Sequence, residues 1–241
     1  MHVLITRPQE SAISLAHQLK KLGYYVTIDP LIEIIPLTLD LHSQLPPLSF
    51  FEAVVTTSQQ AIRCLSTLTP LRDFPLWCVG SASAKVAKEL GFQTIYTAEG
   101  SADDLIAKLI STIGPSPGKT VLHASGDVMR VNVVEALLKK GIPAQRVILY
   151  QTKEADAFSP ESLQALKLNA LDAALFFSPR TGRVFQNLCR LSNLEHHCKT
   201  VMAICLSDSV KTTIQGLPWK KIRIAKKTTT DDLLMALMMA E

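Results

Sequence analysis

The feature that most constrains the fold is an internal repeat, in which segments of the first half recur in the same order in the second half. Each copy opens with a short apolar run, a polar turn and a helical pattern that ends at a glycine, Gly23 or Gly141. The paired segments are MHVLITRPQESAISLAHQLKKLG with KTVLHASGDVMRVNVVEALLKKG, FEAVVTTSQQAIRCL with LDAALFFSPRTGRVF, LWCVGSASAKVAKELG with VMAICLSDSVKTTIQG, and AEGSADDLIAKLI with KTTTDDLLMALMM. Two copies of one module explain a length of 241 residues better than one continuous sheet does.

Within each copy, apolar runs of strand length alternate with helical patterns. The run HVLIT is followed by Ile13, Ala16, Leu19 and Leu22, which recur at helical spacing until Gly23. The same reasoning predicts later helices over 81–90, 101–113 and 128–140, each after a buried strand. Alternation of this kind favours parallel sheets that are covered by helices on both faces.

Two extended apolar segments occupy matching places in the two copies. They are DPLIEIIPL at 29–37, between Pro30 and Pro36, and RVILYQTKEAD at 146–156. Repeat symmetry suggests that they run side by side as a two-stranded connection between domains. The two prolines would limit unwanted pairing at the edges of such a ribbon.

Composition narrows the class of protein. With 47% hydrophobic and 19% charged residues, the chain can form a packed core. No apolar run reaches the length of about 20 residues that a membrane helix needs, and MHVLITRPQE lacks the pattern of a signal peptide, so we expect a soluble cytoplasmic protein. The five scattered cysteines are typical of reduced core thiols. A net charge of +4 is low for a nucleic-acid binder but suits a small polyanion.

The motifs of several large enzyme classes are absent from the sequence. It contains no P-loop, no GxGxxG, no HExxH and no GxSxG. The histidines of HHC at 196–198 are adjacent and have no second ligand pair nearby, so we expect no metal site there. WKKIRIAKK at 219–227 alternates charged and apolar residues, which indicates a half-buried strand with a solvated outer face.

The order and spacing of several short segments resemble the uroporphyrinogen-III synthase family over essentially the whole chain. These segments are VLITRP, AISLAHQLKKLG, PLIEIIPL, VVTTSQQAI, WCVGSASAKVAKELG, ILYQT, LFFSP and TTTDDLLMAL. The resemblance implies an α/β fold of two flavodoxin-like domains with parallel sheets, joined by a two-stranded linker. Residues 1–35 and 154–241 would form a discontinuous first domain and 36–153 the second, with linker strands at about 30–37 and 146–156.

The resemblance also implies a reaction, which is the cyclisation of hydroxymethylbilane to uroporphyrinogen III with loss of water and inversion of the terminal pyrrole ring. Such a lyase of tetrapyrrole (heme) biosynthesis would need no cofactor and no metal, since the pyrroles supply most of the electron push and the protein mainly positions them. The expected protein is a monomer whose small-molecule substrate is the bilane. It would bind neither nucleic acid nor membrane, and a transient contact with the upstream deaminase is a further expectation.

Tyr150 of ILYQT matches the linker tyrosine of the family and is the catalytic candidate. The resemblance implies that it faces an interdomain cleft, where its phenol would donate a proton or hydrogen bond to the leaving hydroxyl. The alternative is an ordinary strand tyrosine with one face packed. A phenol with a pKa of about 10 is a weak acid, so its removal should slow the reaction without abolishing it.

Carboxylate-binding candidates are expected at the carboxyl ends of the strands. Serines at strand-to-helix turns combine a hydroxyl with free backbone N–H groups, although plain helix capping is the alternative for each. Arginines offer a guanidinium fork, with solvated surface positions as their alternative. The candidates are Arg7, Ser58, Gly80, Ser83, Arg130, Ser178, Arg180, Ser207 and Ser209.

One turn departs from the family pattern of a glycine followed three residues later by a threonine. Gly80 and Ser83 keep this pattern approximately, whereas the second copy has Ser207 and Val210 at those places. Asp208 would be an odd neighbour for an anionic ligand, which puts contacts from this turn in doubt.

The fold alone fits a second class of function equally well. A non-catalytic two-domain module that closes like a hinge on a small polyanion would bind its ligand reversibly and leave it unchanged. A nucleotide-binding flavodoxin relative is disfavoured, because the first turn, TRPQES, lacks the glycines of a phosphate cradle.

Overall fold

A computed structural model describes residues 1–38, 45–115, 118, 120–129 and 131–239 of the chain. Its strands match the short apolar runs of the sequence, and most are four to seven residues long. The strands are β1 His2–Ile5, β2 Tyr25–Ile28, β3 Ile32–Pro36, β4 Phe51–Thr56, β5 Leu76–Val79, β6 Ile95–Ala98, β7 Thr120–Gly126, β8 Ala144–Glu154, β9 Ala173–Phe176, β10 Met202–Cys205 and β11 Lys221–Ile224.

The helices follow the strands in alternation, with two short 3-10 segments at Leu48–Phe50 and Glu195–Thr200. The α-helices are α1 Gln9–Lys21, α2 Gln59–Leu68, α3 Gly80–Glu89, α4 Ala102–Ile113, α5 Val133–Leu138, α6 Pro160–Lys167, α7 Pro179–Leu191, α8 Asp208–Ile214 and α9 Thr230–Met238. Their starts follow local chemistry. Ser101 and Asp104 form a reciprocal capping box at the start of α4, for example, and α7 begins with Pro179 after the N-cap Ser178.

The chain divides into two compact units. Unit 1 consists of Met1–Glu33 and Lys153–Glu241, and unit 2 consists of Ile34–Thr152. The chain therefore passes from one unit to the other inside β3 and again inside β8, which are neighbours in one sheet. The hydrogen bonds from Leu37 N to Leu149 O and from Ala155 N to Leu31 O join these segments in antiparallel order, so the two predicted extended segments pair with each other.

The two sheets share one strand arrangement. Unit 1 contains a five-stranded sheet in the order β11-β10-β9-β1-β2, and the other sheet has the order β3-β8-β7-β4-β5-β6. If β7 and β8 are matched with β1 and β2, as the sequence repeat requires, the last five strands of the second order correspond to those of the first. The strand pairings within these five-strand cores are parallel, which confirms the predicted flavodoxin-like α/β class.

The repeat copies exchange strands between the sheets. Strands β1 and β2 of the first copy lie with β9, β10 and β11 of the second copy, whereas β4 to β6 of the first copy lie with β7 and β8 of the second. Each sheet therefore contains strands from both copies. Corresponding strands of the two copies have similar apolar faces. Each can therefore take the place of the other in a sheet, and the exchange preserves the core.

Alternation along the strands gives each sheet two buried faces. In β1, Leu4 packs into one core cluster while Val3 and Ile5 pack into another, and in β4 Val54 is separated in the same way from Ala53 and Val55. Helices on both faces cover these clusters, as the sequence predicted. All five cysteines are free and buried, in agreement with their expected role as core thiols.

One helix is shorter than its sequence pattern predicts. We expected a helix over 128–140, but α5 spans Val133–Leu138 and begins after the N-cap Asn132. Asp127 and Val128 lie outside the helix, where the Asp127 carboxylate accepts hydrogen bonds from the backbone N–H of Val128 and from Thr152. Side chains that bond to nearby backbone groups compete with helix formation in this way.

Candidate functional site

In unit 2, the carboxyl ends of β4, β7 and β8 bring a serine and a tyrosine together. Ser58 follows β4 as the N-cap of α2, and its Oγ accepts a hydrogen bond of 3.0 Å from the Ala61 backbone N–H. The same Oγ lies 3.0 Å from the phenol oxygen of Tyr150 on β8. The capping function expected as an alternative is therefore real, but it does not use the whole hydrogen-bonding capacity of the hydroxyl.

The Ser58 hydroxyl has one hydrogen to donate and two lone pairs, one of which the Ala61 N–H occupies. It can donate its hydrogen to the Tyr150 phenol oxygen while it caps α2. In that arrangement the phenol O–H stays available to donate to a bound molecule. The pair is suited to delivering a hydrogen bond or a proton.

Tyr150 lies in an environment that favours its neutral form. Its side chain is 8% exposed. Burial is the largest influence and raises the phenol pKa above its ordinary value, the hydrogen bond from Ser58 lowers it, and Cys64 and Asp127 raise it further. A neutral phenol at physiological pH keeps the proton that a general acid must supply.

A buried histidine lies on β7 below this edge. His123 is fully buried, and within the described part of the chain neither of its ring nitrogens has a hydrogen-bond partner. Burial lowers the His123 pKa to about 4, with a further contribution from the positive charge of Arg146. His123 is therefore neutral at physiological pH and belongs to the core.

Other unit 2 candidates occupy separate places. Gly80 starts α3 with φ of 75°, a left-handed conformation that favours glycine. Ser83 does not lie in the strand-to-helix turn as expected, but inside α3, where it is 7% exposed. Arg130 lies outside the described residues.

In unit 1, the corresponding edge carries a guanidinium. Arg7 directly follows β1 and Thr6, and its Nε donates to Ser11 Oγ at 2.7 Å. The guanidinium carbon lies 4.4 Å from the centre of the Phe177 ring, a cation–π geometry. Burial lowers the Arg7 pKa, although a guanidinium remains charged at neutral pH. Its remaining N–H groups suit it to binding a carboxylate.

Two further unit 1 candidates follow β9. Ser178 is the N-cap of α7, accepts from the Thr181 N–H at 3.2 Å and lies 2.8 Å from the Thr181 hydroxyl. Arg180 donates through Nε to Glu154 at 2.7 Å, so part of its fork is already bound to a carboxylate. Ser178 lies in the turn between β9 and α7, and Arg180 lies in the first turn of α7.

The turn before α8 is the one whose sequence departs from the family pattern. Ser207 holds the N-cap position of α8 without a side-chain capping bond, and its Oγ lies 2.9 Å from the hydroxyl of Ser209. Asp208 lies in the first turn of this helix, where the positive end of the helix dipole stabilises an acidic side chain. These contacts explain the residues as local structure.

Sequence reasoning missed the residues that surround Tyr150. Arg146 donates to the hydroxyl of Ser125 and to the backbone carbonyls of Gly126 and Asp127. Asp127 in turn accepts from Thr152, as described above. The available signal was the SGD turn after a buried strand, where the first copy has RPQ instead.

The described residues contain no cluster of three or more histidine, cysteine or acidic side chains that could hold a metal ion. His196 and His197 lie in the second 3-10 segment, and Nδ1 of His197 lies 3.0 Å from the side-chain oxygen of Asn169. Across the same residues, no helix is long and apolar enough to cross a membrane.

Comparison with known proteins identifies the family. The model of the family described as uroporphyrinogen-III synthase HemD matches residues 13–235. The chain belongs to the uroporphyrinogen-III synthase family. The predicted family is thereby confirmed over nearly the whole chain, and the matched range includes Ser58, Tyr150 and Ser178.

A curated relative is the porphyrin biosynthesis protein HemD of Ruminiclostridium josui, which is 23% identical over 247 aligned residues. The alignment covers 98% of this chain and 48% of that protein, so the chain spans about half the length of the relative.

Two solved structures of family members have a similar fold. The uroporphyrinogen-III synthetase of Helicobacter pylori matches with a TM-score of 0.68 at 18% identity, over 100% of this chain and 99% of that chain. A mutant uroporphyrinogen III synthase of the extremely thermophilic bacterium Thermus thermophilus matches with a TM-score of 0.61 at 14% identity, over 100% and 98%. At 18% and 14% identity, these matches show that the fold is shared.

Proposed function

We propose that the chain is a uroporphyrinogen-III synthase, a lyase that converts hydroxymethylbilane to uroporphyrinogen III with loss of water and inversion of the terminal pyrrole ring. Membership of the family supports the reaction class. The observation that carries the proposal is the buried, neutral phenol of Tyr150, which lies 3.0 Å from the Ser58 hydroxyl at the carboxyl edge of a parallel sheet.

Tyr150 acts as the proton or hydrogen-bond donor to the leaving hydroxyl. As the carbon–oxygen bond breaks, the hydroxyl takes the phenol proton and departs as water, and the lone pair of the adjacent pyrrole nitrogen forms the new double bond. Loss of the pyrrole N–H proton then gives the neutral azafulvene, and a proton returns to the phenolate. Ser58 donates to the phenol oxygen, which orients the phenol O–H and stabilises the charge that develops on the oxygen as its proton moves away.

Ring inversion depends on positioning. Attack on the azafulvene by the substituted carbon of the terminal ring gives a spiro intermediate, and fragmentation and recombination then join the inverted ring. Attack and recombination each form a carbon–carbon bond within the substrate and fragmentation breaks one, so the protein contributes by holding the bilane in one conformation.

The eight carboxylates of the bilane are bound by guanidinium, hydroxyl and backbone N–H groups. Arg7 is the strongest candidate, since its guanidinium has donors beyond the one bound to Ser11. The full proposed set comprises Arg7, Ser58, Gly80, Ser83, Arg130, Ser178, Arg180, Ser207 and Ser209.

The remaining parts of the proposal concern organisation and context. The proposed domains are 1–35 with 154–241 and 36–153, and the division into units at 33/34 and 152/153 supports them. The protein works without a cofactor, as a monomer in the cytoplasm, and contacts the upstream deaminase transiently to receive an unstable bilane.

The test is an isomer analysis. Hydroxymethylbilane is generated in situ with purified deaminase, the protein is added, and the products are oxidised and separated as porphyrin isomers by chromatography. We expect predominantly the type III isomer, against type I in the protein-free control. Only type I in both samples would refute the proposal and leave a two-domain binder of a small polyanion as the alternative function.

A further inference from the structure

The pairing of β7 with β8 contains an irregularity at Tyr150. Ser125 lies opposite Ile148, but the next residue, Gly126, lies opposite Tyr150, so Leu149 is an extra residue on β8. This is a β-bulge, and it reverses the normal alternation of side chains. Ile148 is 37% exposed, whereas both Leu149 and Tyr150 are buried and pack into the same core cluster.

The tyrosine ring lies against the backbone of Gly126, in the space that a side chain would fill. A Cβ atom added to Gly126 would overlap with Cε2 and Cζ of Tyr150 and would lie 2.8 Å from its phenol oxygen. Gly126 is not among the glycines with positive φ, so its backbone conformation does not by itself require glycine. The close approach of the ring is what excludes a side chain.

The backbone beneath the ring is fixed on both sides of Gly126. Arg146 donates from Nε to Ser125 Oγ at 2.8 Å and from Nη2 to the carbonyls of Gly126 and Asp127. The Asp127 N–H donates to the Tyr150 carbonyl at 3.0 Å, and the Asp127 carboxylate accepts from Thr152. A side chain at Gly126 would therefore displace the ring, because these bonds hold the turn.

We infer that Gly126 is a positioning residue for Tyr150, because its missing side chain forms the slot that aims the phenol at Ser58. This inference rests on the proposed function where it concerns catalysis. Displacement of the ring breaks the 3.0 Å contact between the two hydroxyl groups and moves the phenol away from the place where it meets the leaving hydroxyl. A displacement of about 1 Å can cost about 100-fold in rate.

The first test replaces Gly126 with alanine. We expect Gly126→Ala to lower kcat to about the level of Tyr150→Phe, with little change in KM, since the change misplaces a donor and leaves the carboxylate-binding groups in place. In ultraviolet titration, with Tyr150→Phe subtracted, the Tyr150 signal of Gly126→Ala should shift from above the ordinary tyrosine pKa towards it. Loss of burial, the largest influence on this pKa, lowers it by more than loss of the Ser58 hydrogen bond raises it. An unchanged kcat together with an unchanged titration overturns the inference.

Gly216→Ala serves as the matched control. A Cβ at Gly216 would lie 2.6 Å from Nε2 of Gln186 in unit 1, so this substitution also forces a neighbour to move. It should lower stability to some extent and leave the Tyr150 titration unchanged. A comparable shift of the Tyr150 signal in Gly216→Ala would mean that general destabilisation is the cause, and would overturn the inference.

A stability cycle keeps the inference testable independently of activity. Gly126→Ala is made in the native chain and in a Tyr150→Leu background, and unfolding in urea is measured for all four proteins. The alanine should destabilise the native chain and cost much less once the ring is absent. If Gly126→Ala lowers the free energy of unfolding equally in both backgrounds, the inferred role of Gly126 is wrong. If the native protein yields only the type I isomer, the proposed function fails while the titration and the cycle still decide the positioning role.

Discussion

The edges of the two sheets use the same local structure for different side-chain chemistry. Ser58 and Ser178 occupy matching places in the repeat, have almost the same backbone angles (φ −144° and −149°) and cap the helices that follow them. The second contact of Ser58 is the phenol of Tyr150, whereas that of Ser178 is Thr181 in its own helix. The two copies therefore share the backbone conformation and the N-cap at this position, but their serines have different second hydrogen-bonding partners.

The neighbouring strands explain the divergence. In unit 1, β2 stops at Ile28 shortly before Pro30, which has no N–H to donate. In the second copy, β8 continues past its bulge to Glu154 and carries Tyr150. At the sheet edge of unit 1, the Arg7 guanidinium packs on the ring of Phe177. One edge therefore offers a cation and the other a phenol. Core packing constrains the strands, but it leaves the side chains at their ends free to specialise.

The largest expected effect concerns position 123, where the aligned first copy has the buried Ile5. Burial lowers the pKa of His123 from 6.5 to about 4 in the folded protein, so the stability that its neutral burial provides is present above about pH 6.5 and is lost as pH falls towards 4. Between those pH values the native protein should lose unfolding free energy on the order of 3 kcal/mol through His123, and His123→Ile should not show this loss. Urea unfolding midpoints at pH 7, 6, 5 and 4 measure it.

The control for this prediction is His17→Ala, since His17 is exposed on α1. Its stability should fall with acid as in the native protein. An equally steep fall in His123→Ile would show that other groups cause the acid sensitivity.

The second prediction contrasts two strand tyrosines. Tyr150→Phe should lower kcat by about 10- to 100-fold, because the phenol proton is lost while the ring still fills its slot. Tyr25→Phe on β2 should leave kcat unchanged, since Tyr25 is 63% exposed and its hydroxyl donates only a long bond of 3.3 Å to Glu161. Initial rates of type III formation compare the two. Full activity of Tyr150→Phe would assign Tyr150 a structural role.

The third prediction tests the cationic edge. Arg7→Ala should raise KM about tenfold, as expected for the loss of one charge-assisted hydrogen bond, with a smaller change in kcat. Arg183→Ala removes an exposed arginine from α7 and should leave KM as it is. Steady-state kinetics of both variants decide the matter, and equal KM values for Arg7→Ala and the native protein would contradict the assignment.

The smallest effects are expected at the paired serines. Ser58→Ala and Ser178→Ala should each lose about 1 kcal/mol of stability, the usual contribution of an N-cap. Only Ser58→Ala should raise the Tyr150 pKa further, because the Ser58 hydrogen bond lowers it in the native protein. Unfolding and ultraviolet titration test both statements, and an identical titration in the two variants would show that Ser58 and Tyr150 are not coupled.

The sequence predicted elements more reliably than the contacts around the candidate site. The predicted helix over 101–113 agrees with α4 to within one residue, because Ser101 and Asp104 form a capping box that marks its start. The repeat predicts the pairing of the extended segments. The helix over 128–140 was too long, because its apolar period continues through a turn that Asp127 holds. Side-chain bonds of this kind depend on a partner strand distant in the chain, which a local pattern does not contain.

The sequence by itself determined the duplicated α/β modules, the buried strands and the family, because hydrophobic periodicity and segment order are properties of the chain alone. Only the tertiary structure decided that Ser58 meets Tyr150 and that Gly126 leaves room for its ring. These residues lie on different strands, and a single extra residue on β8 sets the face to which the tyrosine points. Register between strands is fixed by packing and hydrogen bonding, so it becomes visible only when the sheet is assembled.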